Sequence, residues 1–302
     1  MIFSNNNGNL LAKKEINFKL EKDLQNLVEN NLNDILGLQF IATEFAIEGY
    51  RFDSIAYNAE TNSFVIIEYK RGKNESLVDQ GYAYLYTLLN RKADFVLLYN
   101  QVFKKSKGLK DFDWTQTRIV FISQQFTDYQ KNATAFINMP FELYEVKQFE
   151  GAIVSVNQIN ANKSIKTNDV DNSKDDKVNA VVKEIVVYTE EELLEQGSYA
   201  TKEWYNELKG RILELGDIKI EPKKLYIAFK GKTNICDFVI GKNQLKIFLN
   251  AKVGEINDSI GIARIVKNVG HWGNGDYEIV VKDNESFDYI ISLIKQSYKI
   301  NS

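Results

Sequence analysis

Apolar side chains recur at helical spacing near the start of the chain. Between residues 15 and 36 they fall three or four positions apart, which places them on one face of a helix. The set is Leu20, Leu24, Leu27, Val28, Leu32, Ile35 and Leu36. The pattern predicts an amphipathic helix. A second helix is predicted over residues 75–90, with Leu77, Tyr84, Leu85 and Leu88 as buried candidates.

Short apolar runs rich in Val, Ile and Phe are separated by polar turns, a pattern typical of strands. Strands are predicted at residues 40–47, 50–57, 64–69, 95–99, 118–123, 141–146 and 152–156. A polar turn at 58–63 joins the second and third of them. This order of helices and strands predicts an α/β domain built on a mixed sheet flanked by helices.

A polar stretch divides the chain of 302 residues. Residues 158–182 are predicted to form a linker, because most of them are Asn, Asp, Ser or Lys and few are large and apolar. The predicted domains are therefore residues 1–157 and 183–302. Two domains also agree with the size of about 250–300 residues at which a single core stops growing.

The second domain is predicted to be smaller and of the α+β class. Thr189 and Glu192 match a capping box, which opens a helix reaching about Leu215 with a break near Gly197. Further strands are predicted at 224–230, 235–240, 244–249 and 277–282, and further helices at 257–267 and 285–299.

Composition is that of an ordinary globular protein, with 44% apolar and 26% charged residues. No run approaches the ~18 consecutive apolar residues of a membrane span. Residues 1–7 carry no basic region followed by an apolar run, and the lone Cys236 suits a reducing compartment. A cytoplasmic location is expected.

The net charge of −3 does not favour nucleic-acid binding by the whole-chain field. Local basic clusters do occur, at residues 70–73, at Arg91 and Lys92, and at residues 104–107 together with Lys110. Each cluster alone is more typical of a solvated surface than of a binding groove.

The residues that carry candidate chemistry flank the turn at 58–63. A hairpin closed symmetrically over that turn places Asp53 directly opposite Glu68, with Cβ atoms about 4.5–5.5 Å apart. Glu68 and Lys70 are two positions apart and therefore project from the same face. Two carboxylates suit Mg²⁺ or Mn²⁺, and a neighbouring lysine can stabilise the charge that develops when a phosphodiester is hydrolysed.

The Glu-x-Lys triplet alone is more typical of an edge strand that carries alternating charges for solubility. Here, however, it ends an apolar strand and faces an aspartate in matched register. Like charges directly opposite on a sheet repel, so the pair favours a cation site.

These motifs resemble the PD-(D/E)XK nuclease superfamily, particularly NucS-type endonucleases and RecB-like nuclease domains. The resemblance covers residues 15–157. The matching residues are Gly49-Tyr50-Arg51-Phe52-Asp53, then Val65-Ile66-Ile67-Glu68-Tyr69-Lys70-Arg71-Gly72, then Gln80 and Tyr84. The resemblance implies a restriction-endonuclease-like fold and an Mg²⁺- or Mn²⁺-dependent endonuclease that cuts DNA, with RNA left open as a substrate and a homodimer left open as its assembly.

Roles for single residues also follow from the resemblance. It implies Asp53 and Glu68 as metal ligands with Glu29 as an accessory acid, Lys70 as the catalytic lysine, and Gln80 as a residue that positions metal or phosphate. Nucleic-acid contacts are expected at Arg51, Arg71, Lys73 and Tyr84, although core packing is an equal expectation for Tyr84. A solvated helix face is an equal expectation for Glu29.

The C-terminal half resembles a small domain of unassigned function found in bacterial proteins described as predicted transport proteins. The matching residues lie at 223–229, 270–276 and 293–298. His271 could act as a general base or metal ligand, but a histidine in a glycine loop is more often a hydrogen-bonded structural residue. A module that selects substrate or binds a partner is expected.

Two other functions compete with the nuclease hypothesis. A nuclease scaffold could bind nucleic acid or protein without turnover, although clustered acids would then have no purpose. A small-molecule carrier would instead need a deep apolar pocket near His271 and Trp272.

Overall fold

A computed structural model describes residues 1–70, 77–134, 139–159, 175–271, 273–284 and 286–302. The chain forms two compact units, Met1–Val187 (unit 1) and Tyr188–Ser302 (unit 2). Within the described ranges, no helix is both long enough and apolar enough to cross a membrane.

Unit 1 is an α/β unit. Its strands are β1 (Ile2–Asn6), β2 (Asn9–Lys13), β3 (Glu15–Ile16), β4 (Gln39–Ile47), β5 (Tyr50–Asn58), β6 (Ser63–Lys70), β7 (Arg118–Ser123), β8 (Phe141–Phe149) and β9 (Ile153–Ile159). Its helices are α1 (Glu21–Asn30), α2 (Leu32–Leu36), α3 (Leu77–Asn90), α4 (Lys92–Phe103), α5 (Asp128–Ala133) and α6 (Asp176–Glu184).

A mixed sheet forms the centre of unit 1, in the order β3-β8-β7-β6-β5-β4 with β9 on β8. Strands β4, β5 and β6 are antiparallel neighbours, whereas β6, β7 and β8 run parallel. Strands β1 and β2 form a separate hairpin. This architecture confirms the predicted mixed sheet flanked by helices.

Strand β6 lies inside this sheet, and every one of its residues is buried. Its alternate side chains enter two cores, because successive residues of a strand point to opposite faces. Phe64 and Ile66 pack in the cluster that contains helices α3 and α4. Val65 and Ile67 pack with Leu24 and other residues of α1. The strand that ends in Glu68 and Lys70 is thus fixed from both sides.

The predicted strand at residues 95–99 is wrong, because these residues lie inside helix α4. Phe95, Val96 and Tyr99 are buried on one face of that helix, while Leu97 is 57% exposed. A short apolar run without polar interruption fits a buried strand and a buried helix equally well. The helix satisfies its own backbone hydrogen bonds, and its aromatic residues pack on β5 and β6.

The predicted helix over residues 15–36 begins later and is divided. Glu15 and Ile16 form β3, which pairs with β8. Helix α1 ends at Asn30, with Asn31 as its C-cap, and the short helix α2 follows.

The predicted linker at 158–182 is also corrected at both ends. Residues 158–159 belong to β9, residues 160–174 lie outside the described ranges, and residues from Asp176 form α6. Val178, Val181, Val182 and Ile185 recur at helical spacing and pack in the α3–α4 core. The high content of Asn, Asp and Lys around this stripe obscured it.

Unit 2 carries an antiparallel sheet packed against helices. Its strands are β10 (Lys219–Pro222), β11 (Ile227–Lys230), β12 (Asn234–Ile240), β13 (Leu245–Leu249), β14 (Ala263–Ile265) and β15 (Tyr277–Val281). The order is β10-β11-β12-β13-β15-β14. Its helices are α7 (Glu190–Leu194), α8 (Tyr199–Leu213) and α9 (Phe287–Asn301). The predicted capping box at Thr189 and the break near Gly197 are confirmed.

The predicted helix at 257–267 is wrong. The carboxylate of Asp258 accepts hydrogen bonds from the backbone N–H groups of Gly261 and Ala263, at 2.9 and 2.7 Å, and from the hydroxyl of Tyr289. An aspartate that bonds the backbone ahead of it competes with helix formation. The chain therefore turns at this point and continues as β14.

Docking of α6 on the α3–α4 core can be tested with Val181, whose side chain is fully buried. Val181→Ala removes buried methyl groups and should lower the free energy of unfolding of unit 1 by about 2 kcal/mol. Urea unfolding of the full chain, followed by circular dichroism, measures this change. Val186→Ala, at an exposed valine nearby, is the matched control. Equal stability of the two variants would contradict the docking of α6.

Candidate active site

The register of β5 and β6 brings the candidate residues together. Pairs run from Asn58↔Ser63 to Ser54↔Ile67, which is the symmetric hairpin predicted from the sequence. The ladder ends one pair before Asp53 and Glu68. Instead of pairing through its backbone, Asp53 accepts a hydrogen bond at Oδ2 from the backbone N–H of Tyr69, at 2.9 Å. At the point where the strand pairing ends, the Asp53 carboxylate therefore accepts the hydrogen bond from the Tyr69 N–H in place of a backbone carbonyl.

Glu68 and Lys70 lie together and are almost excluded from solvent. Their exposures are 4% and 8%. The Lys70 Nζ donates to Glu68 Oε1 at 3.1 Å, and Gln80 Nε2 on α3 donates to the same oxygen at 2.7 Å. Glu68 Oε2 is buried and has no hydrogen-bond partner in the described part of the chain. A buried carboxylate oxygen left unpaired is costly unless a further group binds it.

The pKa values of both acids at the site are raised. Burial and, after it, the neighbouring Asp53 carboxylate raise the pKa of Glu68 to about 7, against the opposing effects of Lys70 and Gln80. Burial also raises the pKa of Asp53, against the hydrogen bond from Tyr69. Among the residues that the structure describes, Lys70 and the more distant Arg51 do not offset the desolvation of the two acids.

Gln80 and Tyr84 form a bridge from α3 to β5. The Gln80 Nε2 donates to the Tyr84 hydroxyl at 3.1 Å, and that hydroxyl donates to the backbone carbonyl of Arg51 at 3.1 Å. The Tyr84 side chain is buried, with its ring centroid 4.7 Å from that of Phe52. The position of Tyr84 thus agrees with core packing, and its hydroxyl orients Gln80.

Glu29 lies on α1, behind the hairpin. It accepts hydrogen bonds at Oε1 from Ser54 Oγ at 2.6 Å and from Gln25 Nε2 at 2.9 Å. Among the residues that the structure describes, no three acids, histidines or cysteines cluster as a metal site. Glu29 therefore does not form such a cluster with Asp53 and Glu68.

Sequence reasoning missed Gln25 and Lys22. Gln25 is 5% exposed, and its Nε2 donates to the backbone carbonyl of Asp53 at 2.9 Å. The Lys22 Nζ donates to Gln25 Oε1 and to Glu44 Oε1, at 3.1 and 2.8 Å. Lys22, Gln25 and Glu29 fall at helical spacing on α1, which is a signal that the sequence did contain.

Of the three remaining residues predicted to contact nucleic acid, the structure describes Arg51. Arg51 is exposed, and its guanidinium lies 3.4 Å from Glu44 Oε2. Arg71 and Lys73 lie outside the described residues. A cavity of about 540 Å³ opens at the carboxyl ends of β6 and β7, lined by Lys70, Ser123, Gln125 and other residues. Its size is within the range of ligand sites.

His271 in unit 2 stacks on Phe248, with ring centroids 5.0 Å apart. The neighbouring loop is fixed by Asp237, whose Oδ2 accepts hydrogen bonds from the backbone N–H and the side chain of Asn274, at 2.6 and 2.7 Å. Trp272, the other residue expected at a carrier pocket, lies outside the described residues. His271 and Asn274 are therefore held by packing and hydrogen bonds within unit 2.

Comparison with known proteins gives one relative along the whole length. An uncharacterized protein of Haemophilus influenzae is 45% identical over 302 residues, which is 99% of each chain. Residues 190–301 match a domain of unknown function, DUF5655. The sequence resemblance of this half to a domain of unassigned function is therefore supported.

Two solved structures show partial likenesses. A repair endonuclease from Pyrococcus abyssi is 19% identical with a TM-score of 0.22, over 39% of this chain and 44% of that one. An EndoMS–dsDNA2 complex is 14% identical with a TM-score of 0.24, over 45% and 50% of the two chains. The chain thus spans half the length of these proteins or less.

The raised pKa of Glu68 makes stability depend on pH in the metal-free protein. The folded pKa of about 7 lies above the ordinary 4.5, so this group contributes stability that is complete below about pH 4.5 and is lost as pH rises through 7. Glu68→Gln removes this titration. In EDTA, the free energy of unfolding of Glu68→Gln should fall less between pH 5 and pH 8 than that of the wild type, by about 1–3 kcal/mol.

Urea unfolding at both pH values measures the difference. Glu48→Gln, at an exposed glutamate of the same unit, is the control and should follow the wild type. Parallel pH profiles for wild type and Glu68→Gln would show that Glu68 does not carry the shift.

Proposed function

The chain belongs to the same family as the Haemophilus influenzae protein, an assignment that carries no activity with it, and we propose that unit 1 hydrolyses phosphodiester bonds in DNA with a divalent cation. The observation that carries the proposal is the buried Glu68 Oε2 beside Asp53 and Lys70, which has no hydrogen-bond partner among the described residues. Both likenesses to solved endonucleases are too slight to add weight.

The residues fit a hard divalent cation. Carboxylate oxygens are the ligands that Mg²⁺ and Mn²⁺ prefer, and Mg²⁺ is commonly held by one or two carboxylates together with waters and substrate phosphate. No described residue bonds Glu68 Oε2, which can therefore bind a cation, and Asp53 Oδ2 is held in place by the Tyr69 N–H. When bound, the cation would supply positive charge to the phosphate and favour a nucleophilic water.

The side chains around the acids have separate tasks in this reaction. Lys70, fixed by its contact with Glu68, donates to the phosphate or the attacking water and offsets the charge that develops in the transition state. Gln80 holds the Glu68 carboxylate from the side of α3. The water oxygen forms a bond to phosphorus, the ester bond to the leaving nucleotide breaks, and a proton passes to the leaving oxygen.

DNA is the proposed substrate class because the motif that carries Asp53, Glu68 and Lys70 resembles that of DNA nucleases. The cavity of about 540 Å³ adjoins the proposed site through Lys70, which is part of its lining. A binding module without turnover would have no use for a desolvated acid pair with an unpaired oxygen.

Replacement of the site residues tests the activity. Asp53→Asn, Glu68→Gln and Lys70→Met should each lower Mg²⁺-dependent cleavage by at least about a hundredfold, because each removes a cation ligand or transition-state charge. End-labelled single-stranded, duplex and branched DNA, with RNA of the same sequences, resolves the substrate on denaturing gels. Lys105→Met, at an exposed lysine, is the control. Cleavage that survives in all three site variants, or in EDTA, would refute the proposal.

Calorimetric titration with Mn²⁺ separates the nuclease from the binding module. Glu68→Gln should lose the binding heat, whereas Lys70→Met should keep it, since Lys70 is not a proposed ligand and its positive charge opposes the cation. Affinity in the wild type should fall as pH decreases from 8 to 6, because protons compete for Glu68, whose pKa is about 7. A wild-type protein that takes up no Mn²⁺, or a Glu68→Gln variant that binds it equally, would favour the module.

A further inference from the structure

A left-handed residue interrupts β4 beside the candidate active site. Thr43 pairs with Ser54 and Phe45 pairs with Phe52, so Glu44 faces Asp53 across the two strands but makes no ladder pair with it. Its φ angle is 49°, a conformation that a glutamate adopts rarely and at a cost. The Asp53 carbonyl is bonded by Gln25 instead.

This conformation places the Glu44 carboxylate between two cations. Glu44 Oε1 accepts from Lys22 Nζ at 2.8 Å, and Glu44 Oε2 lies 3.4 Å from the Arg51 guanidinium. All three side chains are between 40% and 67% exposed. Such exposed ion pairs contribute little stability, typically under about 1 kcal/mol. Stability alone therefore gives a weak reason for a strained backbone here.

The triad also lies next to the proposed reaction centre. The charges of Glu44 and Arg51 both act on the Asp53 carboxylate, in opposite directions. Lys22 and Arg51 converge on one carboxylate, and a carboxylate presents oxygens to these donors much as a phosphate does. Since Glu44 lies opposite Asp53 across the two strands, a DNA chain cut at Asp53 and Glu68 would pass close to this triad.

We infer that Lys22 and Arg51 form a clamp for a backbone phosphate of the nucleic acid, and that Glu44 occupies the clamp in the free protein. The inference rests on the proposed function for the kind of ligand. Binding then exchanges the Glu44 carboxylate for phosphate, so Glu44 weakens binding and the two cations strengthen it.

Removal of the Glu44 charge should therefore increase affinity. Glu44→Gln should bind a labelled 20-nucleotide DNA about three- to tenfold more tightly than the wild type in EDTA, measured by fluorescence anisotropy. Lys22→Met and Arg51→Met should weaken binding and each lower the slope of log affinity against log salt by about one. Glu44→Asn tests the same loss of charge with a residue that tolerates the left-handed conformation.

Glu48→Gln is the matched control. Glu48 is an exposed glutamate, also left-handed at φ 50°, and its carboxylate lies 3.5 Å from Arg91. Glu48→Gln makes the same change in net charge as Glu44→Gln, but away from the clamp. The gain from Glu44→Gln should exceed that of Glu48→Gln, and it should disappear in the Lys22→Met/Arg51→Met background.

The outcomes separate the clamp from the nuclease function. Equal gains in Glu44→Gln and Glu48→Gln, a gain that persists without Lys22 and Arg51, or absence of DNA binding in every variant overturns the clamp. Cleavage lost in Glu68→Gln with no affinity gain in Glu44→Gln leaves the nuclease proposal standing and rejects the clamp. An affinity gain in Glu44→Gln, in a protein that cleaves no DNA, supports the clamp and rejects the nuclease proposal.

Discussion

The burial of an acid and a lysine at the end of a central strand is the constraint on which unit 1 depends. Glu68 and Lys70 are both charged groups removed from water, and desolvation of that kind is compensated only by close partners. Lys70 and Gln80 satisfy one oxygen of Glu68, and the other is left without a partner among the described residues. The fold tolerates this arrangement because β6 is fixed on both faces by apolar packing.

The hairpin that carries the acids is supported from α1 rather than by strand pairing alone. Where β4 and β5 lose a ladder pair, Gln25 bonds the Asp53 carbonyl, and Glu29 accepts from the next residue, Ser54. On the other side of β5, the Asp53 carboxylate accepts a hydrogen bond from the Tyr69 N–H. The backbone and carboxylate of Asp53 are therefore both held by hydrogen bonds, which limits its movement and favours a preorganised site.

The sequence predicted the parts of unit 1 that follow from local periodicity. The turn at residues 58–63 determined the register of β5 and β6, and from it the proximity of Asp53, Glu68 and Lys70. Residues 95–99 were misassigned because an uninterrupted apolar run contains no period that separates strand from helix. The spacing of Lys22, Gln25 and Glu29 placed them on one helix face, but it could not predict the hydrogen bonds of Gln25 or the left-handed Glu44, since both depend on how α1 packs on the sheet.

The basic clusters show why charge in the sequence alone is a poor guide to nucleic-acid binding. Arg91 lies against Glu48 and Asp94, and Lys92 pairs with Glu184 of α6. Lys107 lies over the rings of Tyr57, Tyr99 and Phe112, at 5.0–5.3 Å, and donates to the Tyr57 hydroxyl. These cations serve the fold, since ion pairs and aromatic rings already occupy them. In a chain of net charge −3, cations that lie close to the acids contribute strongly to the attraction of a phosphate backbone, which makes the local charge balance around Asp53 important.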